Sequence, residues 1–355
     1  MSTFTLGRSR LGPDSPTYFI ADIAANHDGD LERAKKLMTL ARNAGADCAK
    51  FQHFRAAQIV SDHGFRSLGS QQSHQATWSK SVFEVYAEAS LPWEWTEELA
   101  AHAQSIDIEF MSAPYDLEAV EHIDPYVNAY KVGSGDINWI EEIELIASKG
   151  KPVILATGAA TLDDVDRAVT VIRDAGLPFV VMQCNTNYEG SLENIHHINL
   201  RVLQQYADRF PDATLGLSDH TPGHVTVLGA VALGARVVEK HFTDDTSREG
   251  PDHGFSMDPT TWREMVDATR MLEAALGNGA KDIEENEQQT VVLQRRCVRA
   301  ARDLPSGSMV TRSDVVVLRP APREGFPAHQ IDQVVGQTVK VDLVAGQAIH
   351  PEHLE

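Results

Sequence analysis

Residues 151–184 read KPVILATGAATLDDVDRAVTVIRDAGLPFVVMQC, and three segments follow one another within them. Pro152–Leu155 is a short apolar run, and Pro178–Met182 is another. Between them, Asp163–Ile172 places its apolar residues at a period near 3.6, the mark of an amphipathic helix. Gly176 stands where that helix has to stop before the second run. Strands that are apolar without alternation, joined through a helix, belong to a parallel sheet covered on both faces.

The same unit recurs outward in both directions. Apolar runs lie at Tyr18–Ala24, Ala46–Phe51, Ile106–Met111, Ala129–Val132, Thr214–Leu217 and Arg236–Glu239, giving eight candidate strands in all. Amphipathic stretches such as Leu31–Ala41 and Val225–Leu233 separate them, with Gly45, Gly150 and Gly234 at further helix ends. Eight such units in about 250 residues make a (β/α)8 TIM barrel. A doubly wound open sheet is the alternative, but no G-x-G-x-x-G follows the first strand. The chain is therefore read as α/β, with a TIM-barrel catalytic domain over residues 1–278.

Two stretches break the pattern. His53–Leu91 is rich in Ser, Gln and His and shows no helical stripe before Ser81–Ala89. A loop that long at the C-terminal face of a barrel is expected to be a lid. Residues 279–293 are polar and acidic and read as a linker to a small domain over 294–355. There Asp303-Leu304-x-x-Gly307-x-x-Val310 with Val315 returns as Asp342-Leu343-x-x-Gly346-x-x-Ile349 with Leu354, at a constant offset of 39 residues. The repeat predicts a β-rich, pseudo-symmetric fold.

Composition removes several functions. The 355 residues carry 31 Lys and Arg against 51 Asp and Glu, a formal charge of −20, which disfavours nucleic acid and anionic lipid as partners. No apolar run is long enough to span a membrane, and residues 1–10 lack the apolar core of a secretory signal. Cys48, Cys184 and Cys297 are too few and too far apart for a disulfide framework or a thiolate zinc site, which fits a cytoplasmic location. There is no G-x-S-x-G and no H-E-x-x-H.

In a barrel, polar residues at strand C-termini face the site. Lys50 and Lys131 are anomalous there, since lysine is rarely buried unless paired, and together they suggest a pocket for a phosphate or carboxylate. The turn Gly133-Ser134-Gly135 offers backbone N–H groups beside it. His220 and His241, at the ends of adjacent strands, are able to converge on one divalent metal, with Glu239 and Asp252 as oxygen ligands or as groups that orient the imidazoles. Cys184 and Cys48 read as small core residues.

Several linked motifs resemble the sialic acid synthase family nearly end to end. They are Asn26-His27-x-Gly29-Asp30, Ala44-Gly45-Ala46-Asp47 with Lys50-Phe51-Gln52, Tyr130-Lys131-x-x-Ser134-Gly135, and Gly216-Leu217-Ser218-Asp219-His220-Thr221. Glu239-Lys240-His241-Phe242-Thr243 through Gly250-Pro251-Asp252-His253 continues the match. The segment Asp303–Glu355, with Leu318-Arg319-Pro320, is similar to that family's antifreeze-like (SAF) domain.

The resemblance implies a metal-dependent transferase condensing phosphoenolpyruvate with an N-acylated hexosamine, such as N-acetylmannosamine or a diacetamido sugar, to give a nonulosonic acid. It implies that Lys50, Lys131, Ser134 and Ser218 hold phosphoenolpyruvate, and that Gln52, Tyr188 and Asp252 face the sugar. His220 and His241 would bind the metal, Mn²⁺ first, with Mg²⁺ or Co²⁺ as alternatives. Arg319 would reach the site of the other subunit in a homodimer with exchanged SAF domains. Asp22 stands where the family carries Glu and is the candidate for steering water or its proton. Ala113 and Ala156 replace hydroxyl residues, and Gln183-Cys184 replaces the commoner His-Cys, leaving Asn185 and Thr186 as the candidates for a phosphate contact. Condensation with another aldose or an aldose phosphate, and a non-catalytic sugar-binding homologue, are the competing expectations.

Overall fold

The computed structural model describes residues 3–69, 75–76, 78–188 and 192–355. The chain divides into two compact units, Met1–Gly277 and Asn278–Glu355. In the first, a hairpin of β1 (Phe4–Leu6) and β2 (Ser9–Leu11) precedes a sheet of eight parallel strands. These are β3 (Tyr18–Asp22), β4 (Cys48–His53), β5 (Glu109–Pro114), β6 (Tyr130–Val132), β7 (Val153–Ala156), β8 (Phe179–Cys184), β9 (Thr214–Asp219) and β10 (Val237–His241). Their order is β5-β4-β3-β10-β9-β8-β7-β6, and β5 and β6 lie against each other, so the sheet is a nearly closed barrel.

The helices of this unit are α1 (Leu31–Ala44), α2 (Ala56–Ile59), α3 (Asp62–Ser67), α4 (Val82–Ala89), α5 (Thr96–Ser105), α6 (Leu117–Ile123), α7 (Ile140–Ser148), α8 (Leu162–Asp174), α9 (Val202–Arg209), α10 (Val225–Ala232) and α11 (Pro259–Leu276). The expected helix-ending glycines Gly45, Gly150, Gly176 and Gly234 all adopt positive φ, which residues with a Cβ enter only at a cost. Among the described residues no helix is long and apolar enough to cross a membrane.

Strand geometry sorts the core into two shells, because side chains at i and i+2 share a face. Val153 and Leu155 of β7, with Phe179 and Val181 of β8, pack outward against the helices. Ile154, Val180 and Met182 point into the barrel, where they meet Ile20, Cys48, Met111 and Val237. Leu6 and Leu11 of the hairpin, at most 1% exposed, join this inner cluster. The sequence reading missed that hairpin. The long connection after β4 holds α2 and α3 ahead of α4, in a stretch read as lacking helix before Ser81. Residues 70–74 and 77 of the expected lid lie outside the described residues.

In the second unit the stretch read as a linker contains a short helix, α12 (Gln288–Gln294). Beyond it, β11 (Cys297–Ala300) and β12 (Val315–Leu318) pair antiparallel over a small core that includes Val298, Leu304, Val310, Leu343 and Ile349. The repeat is a structural two-fold. Leu304 and Leu343 exchange backbone hydrogen bonds of 2.8 and 2.9 Å. Asp303 Oδ1 accepts from Ala345 N at 2.7 Å, and its counterpart Asp342 Oδ1 accepts from Ser306 N at 2.8 Å.

Candidate active site

At the C-terminal ends of the strands the inward-facing residues change from apolar to polar. Two residues beyond Ile20 stands Asp22, and Lys50 and Gln52 follow Cys48. On β9 and β10 the inward series are Gly216, Ser218, His220 and Val237, Glu239, His241. Register sets His241 opposite Asp22, Asp22 opposite Lys50, and Glu239 opposite Ser218. One layer above the apolar interior, the barrel therefore carries a charged floor.

That floor is nearly dry and internally paired. Lys50 Nζ lies 2.6 Å from Asp22 Oδ2 and 3.7 Å from Glu239 Oε1. Lys131 Nζ lies 2.9 Å from Glu239 Oε1, which also accepts from Ser218 Oγ at 3.3 Å. Gln52 Nε2 donates to Asp22 Oδ2 at 3.0 Å and Ala24 N to Asp22 Oδ1 at 3.1 Å. Two ammonium groups face two carboxylates, none of them more than 5% exposed. The lysines thus bring their own counter-ions, which no local sequence pattern announced.

Burial pushes the Asp22 carboxyl up against the pull of Lys50. Burial would raise Glu239 as well, but Lys131 and Lys50 outweigh it and hold it at about 2. Burial opposes the charge on Lys131, yet Glu239 and Asp22 prevail and raise it. Glu239 is therefore the main anion that keeps Lys131 charged in a low-dielectric site.

Beside this floor stand the two histidines, their rings 5.3 Å apart. His220 Nδ1 donates to the backbone oxygen of Asn185 at 3.0 Å, which leaves the lone pair on Nε2. His241 Nε2 is 3.6 Å from Asp22 Oδ2, and its buried Nδ1 has no hydrogen-bond partner among the described residues. Phe255 closes on both rings, at 5.7 Å from His220 and 4.9 Å from His241. Tyr188 sits 4.4 Å from His220. Burial first, then the neighbouring imidazole for His220 and Lys50 for His241, lowers both to about 3. Two neutral imidazoles, one fixed in tautomer by a carbonyl and one with an unsatisfied buried nitrogen, fit a divalent cation.

A cavity of about 360 Å³ opens over this end of the barrel. Gln52, Ser134, Tyr188, His241 and Asp252 line it, with Tyr115 and Asp136, which the sequence reading did not single out. Ser134 Oγ accepts from Gly158 N at 3.0 Å. Asp252 Oδ2 accepts from Ala25 N at 3.1 Å, while burial and nearby Asp22 push its carboxyl up to about 7. Burial pushes Asp136 up to about 6. Cys184 is buried with its thiol pushed upward, as befits a core residue rather than a nucleophile.

Two expected contacts look different in place. The Asn185 side chain is occupied by its own loop, donating to His197 O at 3.2 Å and accepting from Asn187 N at 3.1 Å. Thr186 packs beside Gly158. Arg319 is exposed in the second unit, directly after β12. Phe255 was the main omission, and the only signal for it was its place just after Asp252-His253.

Known proteins are similar to this chain over most of its length. The chain is 34% identical to the N,N'-diacetyllegionaminic acid synthase of Legionella pneumophila over 97% of its own length and 96% of that protein. It is 31% identical to the human N-acetylneuraminate-9-phosphate synthase, covering 96% and 94%. The crystal structure of N-acetylneuraminic acid synthetase from Leptospira borgpetersenii superposes with a TM-score of 0.73 at 26% identity, over 82% of this chain and 95% of that one. Residues 37–281 match the NeuB family and residues 295–355 the SAF domain, so the chain belongs to the NeuB family and carries a C-terminal SAF domain.

Proposed function

We propose that the protein condenses phosphoenolpyruvate with the open-chain aldehyde of an N-acylated hexosamine, giving a nonulosonic acid and inorganic phosphate. The observation that carries this is the pairing, at one barrel mouth, of two buried lysines with two neutral imidazoles. Relatives named as legionaminic and neuraminic acid synthases support it.

Lys50 and Lys131 hold the phosphate and carboxylate of phosphoenolpyruvate, sharing their charge with Asp22 and Glu239, and Ser134 and Ser218 add hydroxyl donors. The enol carbon C3 attacks the sugar's C1, a C–C bond forms, and the aldehyde oxygen takes a proton. The positive charge left at C2 develops above Glu239 and Asp22, which stabilise it in a medium where charges are poorly screened. A water adds at C2 and gives its proton to Asp22, whose burial makes it the stronger base. The bond from C2 to the bridging oxygen then breaks, phosphate leaves with that oxygen and takes the proton of the new C2 hydroxyl, and C2 becomes the ketone of the product.

His220 and His241 would hold a divalent cation, Mn²⁺ by preference, which when bound polarises a carbonyl oxygen. Gln52, Tyr188 and Asp252 orient the sugar from the cavity wall. The partner's Arg319, carried by a SAF domain exchanged between two subunits, completes the site in a homodimer. Phosphate release is the direct test, with phosphoenolpyruvate, Mn²⁺ and a panel of N-acylated hexosamines. Release that depends on the sugar, with a nonulosonic acid found by mass, is expected; release with none of the panel defeats the proposal.

A further inference from the structure

Phe255 reaches the two imidazoles from a single helical turn, His253–Phe255, in the connection from β10 to α11. That turn is tied to a second connection, the one from β3 to α1. Its first residue, His253, is 0% exposed, and its ring is held at both nitrogens. Nδ1 lies 2.7 Å from Thr243 Oγ1, and Nε2 lies 2.9 Å from Asp28 Oδ1. Burial would raise the Asp28 carboxyl, but hydrogen bonds from His253 and Arg248 outweigh it and hold it below its usual range, so it only accepts. His253 Nε2 therefore carries the hydrogen between them. Asp28 Oδ2 also accepts from Arg248 Nη2 at 2.6 Å and lies 3.0 Å from Arg33 Nε of α1. Asp28 sits at φ 53°, a left-handed conformation that suits Asp, Asn or Gly. Gly250 closes in on another side of the His253 ring, where an added Cβ would stand 2.7 Å from its Cδ2.

We infer that Asp28 is a positioning residue for the active site: through the buried His253 ring it fixes the turn that lays Phe255 against His220 and His241. Without the carboxylate, the His253 Nε2–H would be buried and unpaired, a cost the ring escapes only by turning toward water. Phe255, two residues along the same turn, moves with it, and His241 loses an aromatic wall 4.9 Å away. The β3–α1 connection itself stays in place, because Arg33 keeps the Asn26 carbonyl and Asp244 as partners. The catalytic consequence rests on the reaction proposed above, whereas the placement of the ring does not.

The test replaces Phe255 by 4-fluorophenylalanine in the full chain and reads its ¹⁹F NMR line without metal or substrate. Asp28→Gly takes the left-handed φ freely and removes the carboxylate, while Asp28→Asn keeps both the φ and an acceptor for His253. Asp28→Gly should move the line at least halfway toward its place in the urea-unfolded chain, and Asp28→Asn should leave it near the wild-type place. Asp28→Ser, too short to reach His253, gives the same reading if Asp28→Gly does not fold. Arg248→Met, which removes a tie to Asp28 without touching His253, should also leave the line in place. With phosphoenolpyruvate, Mn²⁺ and a sugar that condenses, Asp28→Gly should lower kcat by about 10-fold or more, as misplacement near a reacting centre does, with KM for phosphoenolpyruvate nearly unchanged. A line unmoved in Asp28→Gly overturns the inference, as does one displaced equally in Asp28→Asn or Arg248→Met. An unchanged kcat in a variant whose line has moved overturns it as well. If no sugar condenses, the reaction proposal fails on its own, and the ¹⁹F line still decides this inference.

Discussion

Glu142 lies in the first turn of α7, 1% exposed, and neither carboxylate oxygen has a hydrogen-bond partner among the described residues. Burial, reinforced by Asp136 and Asp116, pushes it up to about 8. A carboxyl whose folded pKa lies above its unfolded value of about 4.3 contributes its full stability only below that value. As pH rises toward the folded pKa the unfolded chain ionises freely while the folded chain must hold the proton, so stability is lost. At neutral pH the loss is about 3 to 4 kcal/mol at 1.36 kcal/mol per unit. Glu142→Gln keeps the shape and removes the titration. An amide buried in the carboxyl's place keeps a desolvation cost of about 1 kcal/mol. The variant should be more stable than wild type by about 2 to 3 kcal/mol at neutral pH, with the gap closing as pH falls below the free glutamate value, about 4.3. Urea unfolding followed by tryptophan fluorescence across that pH range measures it. Equal midpoints at every pH, or a less stable variant at neutral pH, would refute the reasoning.

Further outcomes are expected elsewhere. His220→Ala and His241→Ala should each abolish turnover with circular dichroism unchanged, and elemental analysis should show less bound manganese than in wild type, since strand-end residues serve the site and the layers beneath carry stability. Lys240 Nζ, buried between β9 and β10, donates to Asp219 Oδ2 at 2.5 Å and to Thr221 O at 2.6 Å. Lys240→Met should cost about 3 to 5 kcal/mol by stranding Asp219, and adding Asp219→Asn should recover part of it in denaturant titrations. In the SAF domain Asp303→Ala and Asp342→Ala should destabilise alike, by about 1 kcal/mol each, because each removes one equivalent side-chain-to-backbone bond.

The barrel was legible because parallel strands buried on both faces read as continuous apolar runs, and all eight fall where Tyr18, Ala46, Ile106, Ala129, Pro152, Pro178, Thr214 and Arg236 began such runs. Six of their far ends were read short, whereas the first was read two residues long and the fourth ends at Val132 as read. Ser218-Asp219 and Lys240-His241 look like loop by composition, yet they are strand residues whose side chains alternate between the site and the helix layer. The hairpin at Phe4–Leu6 and Ser9–Leu11 escaped because strands of three residues show no periodicity. Site chemistry was visible as residue types at strand ends, but its pairing was not. Lys50 meets Asp22 from 28 residues away through the pairing of β3 with β4, and Lys131 meets Glu239 from 108 across the barrel, so only the folded sheet makes those ion pairs. Phe54 and Trp78, which line the cavity, were hidden too, since they lie in the part of the connection after β4 without periodicity, whereas Tyr86 falls within the Ser81–Ala89 stripe.

The central claim is that carbon, not phosphorus, is the centre attacked above the Asp22–Lys50–Glu239–Lys131 floor. Phosphoenolpyruvate labelled with ¹⁸O at the oxygen bridging C2 and phosphorus tests it in one turnover with an N-acylated hexosamine. Addition of water at C2 followed by loss of phosphate breaks the C–O bond, so mass spectrometry should find the label in inorganic phosphate and none in the ketone of the product. Label retained in the organic product, with unlabelled phosphate, would mean attack at phosphorus and would contradict the account.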